Sequence, residues 1–226
     1  MRPLGCDWWL RQYRLGDHII LWLQSEKELR NMSLGILVNG QKVGTLVSYL
    51  SFLMPEIQLR KLLKLVYLID EESVRQRAIP VTWLDYYAWA KGPVAPEVYA
   101  IKDGALGEFV SCRKGKDDKW HVTSKMSAPY LMDKEMEVFS EWERELIGKV
   151  LKKYGQMDAD ELTRGTHQED TLWSQVVKEN GIDFSNLKRS SYKIDLNRLN
   201  ESDEEALARF EDAQDAVYMQ SLINGA

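Results

Sequence analysis

Three long stretches of the chain repeat apolar residues every three or four positions, the spacing that places them on one face of an α-helix. The stretch 43–54 is apolar on more than one face and predicts a buried helix. A second amphipathic helix is predicted over 56–77, and Pro55 is expected to open it, since proline fits the first turn. The third covers 133–154, with inward positions Val138, Phe139, Trp142, Leu146, Val150 and Leu151.

The helix over 56–77 has the clearest pattern of the three. Its predicted buried face carries Leu59, Leu62, Leu63, Val66 and Ile69. The charged positions fall largely between these and predict a polar face, formed by Arg60, Lys61, Lys64 and Asp70.

Two short segments show the patterns of extended chain. "EFVSCRKGKDDKWHVTS" alternates apolar and polar residues on both sides of "KGKDD" and predicts a β-hairpin over 109–122. The stretch 86–90 is expected to be extended, followed by a turn at 91–93 and a short helix from Pro96. Side chains alternate along a strand, so Tyr86, Ala88 and Ala90 should share one face and Tyr87 and Trp89 the other. One of these faces should pack on the helix 56–77.

The last third of the chain predicts further helices with side-chain caps. Asp158 can cap a short helix that leads into "ELTRGTHQEDTLW", and Thr166 is expected to cap the next one, which Gly181 closes. At 167 the imidazole is expected to bond to backbone. Ser202, with Glu205 three residues on, has the capping-box pattern. The final helix carries a narrow apolar stripe, which either docks on the domain or faces a partner: Ala206, Phe210, Ala213 and Val217.

Together these elements predict a mainly α fold, a compact bundle of about six helices with a small antiparallel β-ribbon built from 86–90 and the 109–122 hairpin. We expect one domain over 33–194 and an acidic C-terminal helix over 195–226. We expect residues 1–32 to form an N-terminal extension. Two interpretations fit the sequence: a short native helix, or a translated stretch upstream of a true start at Met32.

Composition narrows the classes of function. A net charge of −5 disfavours a sequence-general nucleic-acid binder, which normally has a basic face. The chain has 2 cysteines, far apart and without a C-x-x-C pairing, which fits a reducing compartment. No apolar run approaches the length of a membrane span, and charges interrupt any signal-like segment. We therefore expect a cytoplasmic protein that contacts neither membrane nor nucleic acid directly.

Candidate catalytic groups are few. None of His18, His121 and His167 lies at a metal-ligand spacing, and no glycine-rich phosphate loop is present. Cys112 could act as a nucleophile with His121 or His167 as base, but its place in a predicted strand favours a small buried residue. We predict no catalytic residue, no cofactor and no metal site, and no enzyme.

Three segments occur in an order that resembles the Panacea domain, the SocA-like antitoxin or phage-associated GepA family. They are "LRKLLKLVYLID", "YYAWAKGPVAPEVYAIKD" and "LTRGTHQEDTLW", and the likeness covers roughly 43–180. The residues that match the family pattern are Lys61, Leu62, Leu65, Tyr67, Trp89, Gly92, Pro93, Val94, Tyr99, Leu162, Thr166, His167 and Trp173. The chain departs from the pattern at 65–67 and at 90–91, and both ends lie outside it.

The resemblance implies an antitoxin of a bacterial toxin–antitoxin system, which neutralises a cognate protein toxin encoded nearby by direct binding. An alternative within the family is a proteolytic adaptor that delivers a toxin to the ClpXP protease. A second alternative, from the residues alone, is a hydrolase that uses Cys112 or His167. Candidate partner-binding residues are Tyr87, Trp89, Lys91, Glu204, Glu205 and Phe210.

Overall fold

The fold is mainly α-helical, with small antiparallel sheets, as the sequence predicts. The computed structural model describes residues 32–33, 36–37, 39–126 and 134–224. Within these residues the helices are α1 (Gly40–Leu53), α2 (Leu59–Arg77), α3 (Pro96–Tyr99), α4 (Glu141–Tyr154), α5 (Ala159–Thr166), α6 (Leu172–Glu179) and α7 (Glu204–Asn224). Short 3-10 segments lie at Ala100–Asp103, Met136–Val138 and Leu196–Asn200. Residues 1–31 of the predicted N-terminal extension lie outside the described residues.

The strands of the described residues form three separate antiparallel groups. They are β1 (Met32–Ser33), β2 (Ile36–Leu37), β3 (Ile57–Gln58), β4 (Tyr86–Trp89), β5 (Gly92–Val94), β6 (Val110–Lys114), β7 (Trp120–Ser124) and β8 (Lys193–Ile194). β1 pairs with β2, β7 lies between β3 and β6, and β4 lies between β5 and β8. The predicted antiparallel strands are present, but the 86–90 strand and the 110–124 hairpin belong to different sheets and do not join in one ribbon.

Helix α2 is the centre of the core. It contacts α1, α3, α4 and α5, and also strands of both three-stranded sheets. Because neighbours surround it, the predicted polar face is partly wrong: Lys64 is 1% exposed and Asp70 is fully buried. Pro55 does not open α2, because the chain first makes a left-handed turn at Glu56 and pairs Ile57 with β7.

Side-chain caps mark the helix ends. Ser140 and Glu143 form a capping box at the start of α4, so the predicted helix over 133–154 is interrupted there. Asp158 caps α5 as predicted, with Glu161 as its reciprocal partner. At α7 the cap lies one residue later than predicted. The side chain of Asp203, and not that of Ser202, accepts from the backbone N–H of residue 206 at 3.0 Å.

Helix α7 docks on the domain through its apolar stripe. Ala206 and Phe210 are buried beside Ala78 and Trp83, and the Phe210 and Trp83 ring centroids lie 5.2 Å apart. Ala213 and Val217, half-buried, extend this small cluster. The stripe is thus covered by the chain itself.

Asp70 holds together the chain that leaves α2. Its carboxylate accepts from the backbone N–H groups of Val81 and Thr82, at 2.8 and 2.9 Å, and from the Thr82 hydroxyl. The Tyr86 hydroxyl donates to it at 2.7 Å. Burial raises the pKa of Asp70, and these hydrogen bonds oppose that rise. The network fixes β4 against α2, on the Tyr86 side that alternation predicts.

We expect Asp70→Ala to lower the free energy of unfolding by about 3 kcal/mol or more, because it leaves several buried donors unpaired. Tyr86→Phe removes one donor and strands none, so we expect a loss of about 1–2 kcal/mol. Urea unfolding measures both. Equal losses in the two variants would contradict the central role of the carboxylate.

Candidate functional site

The three motif segments meet where α2 passes under the β4–β5 hairpin. Lys64, on α2, is buried, and its Nζ donates to the carbonyl oxygen of Pro93 at 2.9 Å. Burial lowers the pKa of this amine well below its ordinary value. A buried amine bonded to a backbone carbonyl joins the first motif to the second.

Gly92 is the point where this junction is tightest. Its φ of +100° is in the left-handed region, which glycine adopts without strain. A Cβ at this position would lie 2.5 Å from Lys64 Nζ and 2.8 Å from Thr166 Oγ1. The glycine therefore allows the hairpin to approach α2 and α5 at once, which brings in the third motif. We call Lys64, Gly92, Pro93, Thr166 and Trp173 the motif junction.

Trp173 ties α6 to the hairpin. Its indole N–H donates to the carbonyl oxygen of Trp89 at 2.9 Å, and the ring is 8% exposed. The His167 ring stacks on it, with centroids 3.7 Å apart and planes 7° from parallel. These contacts confirm Trp173 as the core residue that the sequence predicts, with the half-buried His167 packed on its ring.

The hydrogen bonds around His167 differ from the prediction. Thr166 does not cap α6, since it is the last residue of α5, and Thr171 is the cap, accepting from the N–H of Ser174. The imidazole Nε2 is buried without a hydrogen-bond partner among the described residues. Burial lowers the pKa of His167 to about 4, and the nearby amines of Lys64 and Lys91 add to this effect.

Most of the remaining motif residues also point inward. Lys61 donates to the carbonyl oxygen of Gly155 at 2.6 Å and so closes the end of α4. The Tyr67 hydroxyl donates to Glu71 at 3.3 Å, and the Tyr67 ring meets Tyr86 edge-on at 5.2 Å. The apolar members are buried: Leu62, Leu65, Val94 and Leu162.

The outer side of the hairpin opens into a depression of about 440 Å³, lined also by Lys64. We call it the basic groove, and the cations on its walls are Arg60, Lys91, Lys119, Lys188 and Arg189. Its rings are Trp89, Tyr99 and Trp120. Of the predicted partner-binding residues, Trp89 is half-buried here, Lys91 is exposed, and Tyr87 is half-buried elsewhere on β4.

The candidate partner residues of α7 are divided by exposure. Glu204 and Glu205 are exposed on its first turn, while Phe210 is 6% exposed and packs on Trp83. The two glutamates remain accessible to a partner, and the phenylalanine anchors the helix that presents them.

Cys112 and His121 do not form a nucleophile–base pair. In the β6–β7 hairpin Cys112 lies opposite Val122 and His121 lies opposite Arg113, so the thiol and the imidazole project from opposite faces. His121 instead bonds to Asp117 and to the carbonyl oxygen of Glu56. Burial also raises the pKa of the Cys112 thiol, which disfavours the reactive thiolate.

Within the described residues no group of His, Cys, Asp and Glu is arranged to hold a metal ion. The same residues include no helix that is long and apolar enough to cross a membrane.

Sequence reasoning missed Lys64 and Asp70 as buried polar anchors. One signal was present, since residues 62–69 are apolar except for Lys64, a pattern typical of a helix buried on all sides. It also missed Lys119, Lys188 and Arg189, which come from distant segments and which no spacing brings together.

We expect Gly92→Ala to destabilise the protein more than Gly104→Ala. Both glycines have positive φ, +100° and +98°, but a Cβ at Gly104 meets nothing within 4 Å. Both variants incur backbone strain of about 1 kcal/mol, and Gly92→Ala adds crowding of about 1–3 kcal/mol. Thermal unfolding compares them, and equal melting temperatures would contradict the close approach at Gly92.

The pKa of His167, lowered in the fold from 6.5 to about 4, predicts a pH effect. The folded state favours the neutral ring, so its stabilising contribution is complete above pH 6.5 and is lost as pH falls toward about 4. His167→Phe keeps a ring on Trp173 and cannot titrate. In urea unfolding, the wild type should lose stability relative to this variant across that interval, and parallel pH curves would contradict the assignment.

Comparison with known proteins agrees with this geometry. The family model described as "Antitoxin SocA-like, Panacea domain" matches residues 62–174, a span that includes all the residues of the motif junction. Searches of curated proteins and of solved structures gave no match. The matched span is half of the chain, and it contains the segments that fold into the junction. The chain therefore belongs to the antitoxin SocA-like, Panacea-domain family.

Proposed function

We propose that this protein is an antitoxin that neutralises a cognate protein toxin by direct binding. The observation that carries the proposal is its membership of an antitoxin-like family over residues 62–174. The inward position of residues in the motif segments supports it, because Lys64 and Trp173 tie these segments to the hairpin through hydrogen bonds to its carbonyl oxygens. In this account the shared motifs build a scaffold and the surface around it contacts the toxin.

Neutralisation by this mechanism means covering the toxin's active site or its substrate path. An interface of ordinary size, on the order of 1,600 Å² in total, is sufficient. On one side of the molecule the hairpin offers Tyr87, Trp89 and Lys91. Tryptophan and tyrosine beside a stiff turn are suitable anchors, because they add contact area at a small cost in conformational entropy.

Helix α7 offers a second contact of opposite charge. Phe210 anchors it against Trp83, and Glu204 and Glu205 stay exposed. Eight carboxylates lie between 195 and 215 against two arginines. Such a surface complements a basic toxin, for example one that binds tRNA or mRNA, and opposite charge speeds the encounter.

The test begins with a tagged copy of the full chain, expressed at native level in its host, and identification of the proteins that copurify. A stoichiometric partner is then expressed alone and together with this chain. We expect growth arrest in the first case and growth in the second. A partner that is harmless alone, or arrest that the chain does not relieve, would overturn the proposal.

The same experiment distinguishes the adaptor alternative. A neutralising antitoxin forms a stable complex and leaves the toxin level unchanged. An adaptor lowers the toxin level in cells that have the ClpXP protease and fails to protect cells that lack it.

For the toxin so identified, we expect Glu204→Gln with Glu205→Gln to slow association at low salt by up to about tenfold, with a smaller effect at high salt. The matched control is Glu141→Gln with Glu145→Gln, two exposed carboxylates on α4. Stopped-flow or surface-plasmon measurements give the association rate. Equal slowing of association by the two pairs of substitutions would show that α7 is not part of the interface.

A further inference from the structure

We propose that the basic groove binds a nucleoside polyphosphate, with its cations on the phosphates and its rings beside the base. The inference goes beyond the antitoxin function and does not rest on it.

The charge of the groove is opposite to that of the whole chain. The protein has a net charge of −5, yet five cations line the groove and none of its lining residues is a carboxylate. Arg60 is paired with Asp160 at 2.7 Å. Lys91, Lys119 and Lys188 are exposed and have no ion pair with any described residue. Three like charges at one depression favour a multiply charged anion, since it neutralises them together.

The floor of the groove has an unused hydrogen-bonding capacity. Lys64 lines it, and its buried Nζ has one acceptor among the described residues, the Pro93 carbonyl oxygen at 2.9 Å. Whether neutral or protonated, an amine carries at least two N–H donors, so at least one donor of Lys64 is left without an acceptor among these residues. A phosphate oxygen that reaches this amine would supply a second acceptor, which the protein's described residues do not provide.

The walls of the groove also present aromatic surface. The Arg189 guanidinium lies over the Trp89 ring at 4.7 Å and over the Tyr99 ring at 5.0 Å, and its Nη2 donates to the Tyr99 hydroxyl at 3.2 Å. Trp120, on β7, lines the same depression. Flat rings and a held guanidinium plane are the surfaces on which nucleobases stack.

The size of the groove favours a small molecule over a protein segment. Its volume of about 440 Å³ lies within the range of about 300–1,000 Å³ typical of small-molecule sites. Inorganic phosphate would use the cations and leave the Trp120 ring and the Arg189 guanidinium plane without a stacking partner. A nucleoside would do the reverse, so only the combined molecule uses both features.

The test is isothermal titration calorimetry of the full chain with ATP, GTP, tripolyphosphate and adenosine as separate probes. We expect at least one nucleoside triphosphate to bind about tenfold more tightly than tripolyphosphate, and adenosine to bind weakly. No binding of either triphosphate at about 1 mM would overturn the proposal. Tripolyphosphate binding as tightly as ATP would overturn the role of the rings.

Variants localise the site. We expect Lys91→Glu with Lys188→Glu to weaken triphosphate binding by about tenfold or more. The matched control is Lys149→Glu with Lys152→Glu, two exposed lysines on α4 outside the groove. Thermal unfolding checks that all variants fold. Equal weakening of triphosphate binding by both pairs of substitutions would indicate general electrostatic attraction and would overturn the site. The site would also be overturned if the Lys91 and Lys188 substitutions abolished toxin binding and left triphosphate binding unchanged, since the groove would then hold an acidic segment of the toxin.

Discussion

The buried hydrogen bond from Lys64 to the Pro93 carbonyl oxygen is the contact on which the shared part of the fold depends. An amine taken out of water is costly unless its surroundings hold a partner in place. Here the central helix supplies the amine and the hairpin supplies the carbonyl. Gly92 lets Thr166 approach the same point, and Trp173 closes the other side through its bond to the Trp89 carbonyl oxygen. Segments that are distant in the chain are thereby fixed in one arrangement.

This internal role means that chains which share the motifs share a scaffold. The residues that define the motifs are mostly covered, so they determine the scaffold and not its recognition surface. In the proposed function, recognition is left to the residues around them, and these carry opposite charges in the groove and on α7. The groove carries Lys91, Lys119 and Lys188, whereas α7 carries exposed glutamates above its apolar anchor. Both proposed partners, the ligand in the groove and the toxin at α7, would be recognised through their charge.

The sequence predicted features that depend on local pattern. The helix class, the hairpin predicted over 109–122, the cap at Asp158 and the alternation along β4 follow from spacing, and the structure has them, with the hairpin strands between 110 and 124. It could not predict features that depend on tertiary neighbours. Lys64 and Asp70 occupy the polar side of an amphipathic pattern, and they are buried by tertiary neighbours, the β4–β5 hairpin over Lys64 and the 81–86 segment over Asp70. The groove unites segments near 60, 90, 119 and 189, which no local rule brings together.

Hydrogen–deuterium exchange of Lys64→Met tests the central claim most directly. Methionine retains the length and burial of the side chain but cannot bond to Pro93. The account predicts faster exchange at the amides of Ala88 and Ala90, which bond to residues 192 and 188, with exchange in α4 unchanged. The matched variant Lys61→Met, which loses the bond to Gly155, should affect the end of α4 instead. Unchanged exchange in the hairpin of Lys64→Met would contradict the account.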